Sequence, residues 1–327
     1  MRAIFTLLFC GALAACGWLA WALYSPVMPG GGQTFVLLHA GYSTRRIAHE
    51  LKAAHVIHSA TAFTLWHRIR PGRSLKAGEY LFDKTASTVE VHDRLARGDV
   101  YVHTVVVPEG FNMFEIAQAI QQAGLGRSED FLKVAGSDTA LISDLAPDAK
   151  SLEGYLFPNT YEFTRTQSME EMAAAMVKQF RQVAAEIGLT ANVAETVTLA
   201  SIIEKETAAP EERPTVASVY SNRLAKNQPL QADPSVIYAE LLQGAYSGGL
   251  HHADMQFRSA YNTYTHSGLP PGPIGNPGKT SLEAAMHPAT TDYFYFVSDG
   301  NSRHRFAHSL EEHNRNVLAY RHAVNGR

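Results

Sequence analysis

The chain has 327 residues, 46% of them hydrophobic, which is enough apolar material for two ordinary cores or one large one. Its formal net charge is −3, so the basic footprint of a nucleic-acid-binding protein is absent. Both cysteines, Cys10 and Cys16, lie close to the N-terminus, which leaves the rest of the chain without disulfide or thiol chemistry.

The first element in chain order is apolar. Residues 3–24 carry no charged side chain. As a helix this run spans ~33 Å, about one hydrocarbon core. Trp18, Trp21 and Tyr24 crowd its C-terminal end, as at a membrane interface. A cleaved signal peptide has a shorter apolar core. Leu13-Ala14-Ala15-Cys16 resembles a lipoprotein processing box, yet the apolar run continues well beyond Cys16. The expectation is an uncleaved anchor over residues 1–24, with the body facing outward because Arg2 is the only basic residue before the run. Residues 25–32, with Pro26, Pro29 and three glycines, read as a flexible linker.

A weak internal repeat follows. Phe35-Val36-Leu37-Leu38 leads through Gly41 and Ser43 into a helical pattern at Ile47, Ala48 and Leu51. Val105-Val106-Val107 leads through Gly110 and Asn112 into a second at Ile116, Ala117 and Ile120. Each reads as strand, glycine turn, polar N-cap and amphipathic helix. Residues 78–82 read as another strand and 89–95 as a short helix. Residues 33–125 thus form a small α+β region, either a LysM-like glycan-binding module or a generic βα packing unit.

Residues 126–150 show little pattern. Glu153-Gly154-Tyr155-Leu156-Phe157-Pro158 opens an aromatic, partly extended segment, and 169–187 is a strongly amphipathic helix. A helix through 199–206 follows, then another from Pro210 to about Leu224. The stretch to about 301 is rich in loops, and Gly268-Leu269-Pro270-Pro271-Gly272-Pro273 is incompatible with helix or central strand. Residues 294–297 read as a short strand and 310–324 as a closing helix.

The 199–206 helix carries the most informative residue. At ~100° per residue, Leu199, Ile202 and Ile203 fall within roughly 60° of Glu206, while Glu204 points to nearly the opposite side. A carboxyl among apolar groups is harder to ionise, and a neutral acid near pH 7 can protonate a leaving group. Val197 lies opposite Glu206, a pattern that also fits a helix buried on several sides, and a buried glutamate also serves as a structural ion-pair partner. Asp233, in Leu230-Gln231-Ala232-Asp233-Pro234, is the second carboxylate of interest, although Asp before Pro is equally a turn or helix N-cap. Tyr261-Asn262-Thr263-Tyr264 offers two aromatic faces and an amide, which suit an N-acetylated sugar and suit a hairpin as well. His304 and His308 are four apart with no Glu between them, so no metal site is expected.

In order along the chain, Glu153-Gly154-Tyr155-Leu156-Phe157-Pro158, Ala200-Ser201-Ile202-Ile203-Glu204-Lys205-Glu206-Thr207, Val216-Ala217-Ser218-Val219-Tyr220 with Asn222-Arg223-Leu224, Leu230 to Pro234, Tyr261 to Tyr264, Gly268 to Gly272 and His287-Pro288-Ala289 resemble the endolytic murein transglycosylases, the YceG-like family. The match fades between Gln243 and Phe257. The resemblance implies a fold of α+β class: a single-pass inner-membrane helix, a LysM-like module over 33–125, and a larger catalytic domain over 126–327 with a buried catalytic helix in the periplasm. It implies peptidoglycan glycan strands as substrate, wall-synthesis enzymes as candidate partners, and no cofactor. The family's acid is the second glutamate of Glu-Lys-Glu, here Glu206, with Gln231, Asp233, Tyr261, Asn262 and Tyr264 as substrate-binding or positioning residues. The implied reaction is cleavage within strands to 1,6-anhydro ends. A muramidase using Asp233, or a non-catalytic glycan-binding scaffold, are the alternatives.

Overall fold

The computed structural model describes residues 2–30, 32–70 and 72–325. They divide into two compact units, one running to Thr104 with Glu162–Gln167 added, the other comprising Val105–Tyr161 and the chain from Ser168 onward.

The first unit begins with α1 (Arg2–Tyr24), whose early apolar side chains, Ile4 to Leu13, are exposed. Its last turn is packed. Ala22 and Leu23 are buried against Ala62 and Trp66 of α3 (Ala60–Arg68), and Thr88 Oγ1 donates to the Ala22 carbonyl. The segment after α1 is held rather than free, since Val27 and Ala86 exchange backbone hydrogen bonds. Next come β1 (Thr34–Leu38), α2 (Thr44–Ala53), α3, β2 (Gly78–Phe82) and α4 (Thr88–Arg97). β1 and β2 pair antiparallel with Val36 opposite Tyr80. One face of this ribbon meets the apolar faces of the helices in a core of Val36, Leu38, Leu51, Phe63, Tyr80 and Leu95. The helices start where side chains supply the missing acceptors. Ser43 accepts from Arg46 N, and Ser87 and Glu90 form a capping box.

The chain continues through β3 (His103–Val107), which pairs with β4 (Asn159–Phe163), into α5 (Met113–Gln122) and α6 (Ser128–Ala135) of the second unit. After β4 come α7 (Met169–Glu186), α8 (Val193–Glu206), α9 (Arg213–Ala225), α10 (Asp233–Leu242), α11 (Lys279–Met286), the hairpin of β5 (Tyr295–Ser298) and β6 (His304–Ala307), and α12 (Leu310–Asn325). α8 is the hub. It contacts α9, α10 and α11, and Val197, Leu199, Ala200, Ile202 and Ile203 are buried around its circumference. That all-round burial is why its sequence lacks a clean amphipathic stripe.

The two halves of the internal repeat fold as read, with Ser43 and Asn112 as caps after glycines at positive φ. They fall in different units, however. The first unit ends at Thr104 in this part of the chain, and the start of α5 is bound within the second unit: Gly110 N donates to Asn276 O, and Asn276 N to Phe111 O. The helices α6, α10 and α11 lie in stretches that read as patternless or as rich in loops. None exceeds ten residues, too few turns for a periodic signal to stand out.

Candidate active site

Glu206 ends α8, and its side chain leaves the helix beside Tyr220 of α9. The Tyr220 hydroxyl donates to Glu206 Oε1 at 2.7 Å. Protein surrounds the carboxyl on most sides, but the residue keeps an open edge, and that edge faces a cavity of about 350 Å³. Burial pushes the Glu206 pKa up to about 7, and the negative Asp233 adds to the rise, while the Tyr220 hydrogen bond and the Arg223 charge oppose it. At neutral pH the group is therefore present in both protonation states.

The same cavity is lined by Gln231, Asp233, Tyr264, Arg223, Tyr295 and His313. Gln231 stands at φ 52°, outside regular structure, and its N–H bonds Thr263 O at 3.0 Å. Asp233 opens α10, and its Oδ1 accepts the Tyr264 hydroxyl. Arg223 faces the cavity but is committed to the fold. It donates to the carbonyls of Phe294 and Leu230 at 2.7 Å and to Gln231 Oε1 at 3.3 Å, tying β5 to the 229–231 segment. His313 stacks on Tyr295 with ring centroids 5.3 Å apart, and burial, with the Arg223 charge, lowers its pKa.

The structure therefore brings together Glu206, Gln231, Asp233 and Tyr264, which are distant in sequence, around one cavity. Asn262 is not on its wall. It is fully buried, its Nδ2 donates to Met255 O and Phe257 O, and its Oδ1 accepts the Tyr264 N–H. Tyr261 faces another way. Its ring lies tilted against that of Tyr238, and it lines a separate cavity of about 290 Å³ with Tyr155 and Pro271. His304 bonds Glu212 and His308 pairs with Asp292, and no group of three or more candidate metal ligands occurs among the described residues.

Glu204 takes the structural role that either glutamate could have filled. Its Oε1 lies 2.7 Å from Arg213 Nη2 and its Oε2 accepts the Gly278 N–H at 2.9 Å, both side chains being almost wholly buried. A further buried acid, Glu153, escaped the sequence reading as a functional group. It accepts Met113 N and Asn276 Nδ2, and burial raises its pKa to about 7. Tyr220 was also missed as a partner of Glu206. Its position 14 residues away, on the next helix of the same core, is the one signal that could have found it.

The family model of the YceG-like family matches residues 36–319. A protein of Bacillus subtilis strain 168 named endolytic murein transglycosylase is 35% identical over 298 residues, covering 84% of this chain and 81% of that protein. One of the same name from Streptococcus pneumoniae serotype 2 is 30% identical over 318 residues, but the chain spans 57% of that longer protein. A crystal structure of a YceG-like protein from Listeria monocytogenes superposes with a TM-score of 0.59 at 33% identity, covering 86% of this chain and 98% of the other.

Proposed function

This chain belongs to the YceG-like family, and on that footing we propose that it is an endolytic peptidoglycan lytic transglycosylase acting on the β-1,4 bond between N-acetylmuramic acid and N-acetylglucosamine within glycan strands. The observation that carries this reading is Glu206, a carboxyl with its pKa near 7, oriented by Tyr220 at the edge of a cavity. Protonated Glu206 gives its proton to the departing glycosidic oxygen as the C1–O bond breaks. The resulting carboxylate then removes the proton from the muramic acid 6-hydroxyl, whose oxygen bonds to C1. The proton returns to Glu206, no water is consumed, and the product carries a 1,6-anhydro end. A single group can serve both steps because its pKa lies near the working pH.

Gln231, Asp233 and Tyr264 meet the substrate, and Asn262 positions Tyr264 through its backbone. The β-α-α-β order of the first unit supports a LysM-like glycan-binding role. α1 is long and apolar enough to cross a bilayer, and it anchors the protein in the inner membrane with the body in the periplasm, near the wall-synthesis enzymes. Mass spectrometry of digested peptidoglycan tests the reaction. Anhydro ends are the expected products. Reducing ends would make the protein a muramidase with Asp233 as second carboxylate, and no products would leave a binding scaffold.

A further inference from the structure

The first unit contains a cleft that the reaction does not use. It lies between α2 and α3, has a volume of about 670 Å³, and is lined by Arg45, His49 and Lys52 on one side and Thr61, Leu65 and Arg68 on the other. Arg45, His49 and Lys52 recur at helical spacing, so they form one edge of α2. Among the described residues, Arg45, Lys52 and Arg68 have no carboxylate partner. Nearby Arg46 and Arg73, by contrast, are paired with Glu50 and Asp93. The imbalance extends beyond the cleft. Residues 39–77 contain seven Lys and Arg and one acid, a net of +6 in a chain whose total is −3. Among the described residues no Phe, Tyr or Trp lines the cleft, so the stacking faces of a sugar site are missing from that lining.

Its place in the fold identifies what would fill it. The buried face of α3, through Ala62 and Trp66, packs on the last turn of α1, and Trp21 of α1 stacks on His58 just before α3. A helix of 23 residues spans ~34 Å against a hydrocarbon core of ~30 Å, so that last turn lies among headgroups. At ~100° per residue, Leu65 on α3 and Ile69 at its C-cap fall between the α1-packed face and the cleft. Both are exposed, at 43% and 62%. Apolar side chains aimed at the bilayer edge, with unpaired cations beside them, match an acidic lipid: acyl chain below, phosphate above.

We propose that the α2–α3 cleft binds the phosphate headgroup of an anionic phospholipid, with Arg45, Lys52 and Arg68 as its ligands and Leu65 and Ile69 against the acyl chains. This rests on α1 being a membrane anchor. Lipid binding would fix the first unit on the membrane surface and so set the height at which the chain's glycan-directed groups work.

The test uses the full-length protein in a neutral maltoside detergent, with native mass spectrometry reading bound phosphatidylglycerol against phosphatidylcholine. Phosphatidylglycerol should be retained selectively. Combined Arg45→Ala, Lys52→Ala and Arg68→Ala should weaken that retention roughly 100-fold, given the contribution of each basic side chain at an anionic surface. These side chains are exposed, so the thermal midpoint should stay near that of the parent. Arg73→Ala with Arg97→Ala, basic residues of the same unit outside the cleft, should retain the lipid. Equal retention of both lipids, or full retention by the triple variant, overturns the proposal. So does displacement of the lipid by millimolar inorganic phosphate, which would make the cleft a site for the free anion. Alkaline extraction of native membranes reads the anchor separately. Release of the protein there defeats the anchor, whereas a membrane-retained protein without lipid selectivity defeats the cleft alone.

Discussion

At the scale of single residues, two glutamates two positions apart do different work because they leave α8 on opposite sides. Glu206→Gln keeps shape and can still accept from Tyr220, but it can neither give nor take a proton. Turnover should fall by about 10²–10⁴-fold or to background, since this residue serves both steps. The native state holds the Glu206 proton up to a pKa of about 7, against 4.5 in the unfolded chain, so wild-type stability from this group declines as pH rises through that window. The variant's advantage in thermal stability over wild type should therefore grow as pH rises from about 4.5 to about 7, persist in full above that, and be absent below it. Glu204→Gln should behave inversely. It leaves buried Arg213 with the Thr280 hydroxyl and the longer 3.5 Å carboxylate contact to Glu109, so stability should drop by about 3 kcal/mol in denaturant titrations while activity per folded molecule survives. Full activity in Glu206→Gln, or loss of turnover in folded Glu204→Gln, would remove the assignment. Tyr220→Phe keeps the buried ring but removes the donor that favours the carboxylate. Its rate should fall, and the alkaline limb of its pH profile should move upward. An unshifted limb would mean the hydroxyl does not tune Glu206.

At the scale of elements, the second unit depends on a junction built by Glu153. Its carboxyl receives the first N–H of α5 and the side-chain amide of Asn276, which also donates to Phe111 O and accepts from Leu156 N. One acid thus joins a helix start, the 153–158 segment and the loop before α11. Glu153→Ala leaves two buried donors without an acceptor, at about 1–3 kcal/mol each, so unfolding free energy should fall by about 2–6 kcal/mol. Glu153→Gln retains an acceptor and should cost less. Equal melting temperatures for wild type and Glu153→Ala would show that water replaces the carboxyl at no cost. The helices also explain what local sequence could signal. Ser43, Ser87, Asn112 and Ser168 cap their own helices within three residues, and such short-range bonds are written in adjacent letters. α10 and α11 carry no side-chain cap and bury more than one face, so neither cap nor stripe announces them.

At the scale of the whole molecule, the boundary between anchor and body lies within α1. Ala22 and Leu23 belong to the packing of the first unit, and Val27 is bonded to Ala86. Deleting residues 1–16 should therefore yield a body with intact packing. Deleting 1–30 should expose Ala62 and Trp66 and lower the melting temperature of the first unit. Identical melting curves for the two truncations would show that the α1 end is dispensable. The sequence by itself determined the uncharged span of α1, the capped helices, the placement of Glu206 on an apolar helix face, and the ordered motifs that mark the family. These depend on neighbours within about one helical turn or on the order of letters. The tertiary structure alone decided that Glu204 finds Arg213 while Glu206 finds Tyr220, and that Tyr264 shares a cavity with Glu206 while Tyr261 faces another. It also decided that Asn262 spends its amide on backbone carbonyls and that the repeat is divided between two units. The physical reason is that a side chain's partner depends on which elements pack together, and the partners of these residues come from separate helices and loops.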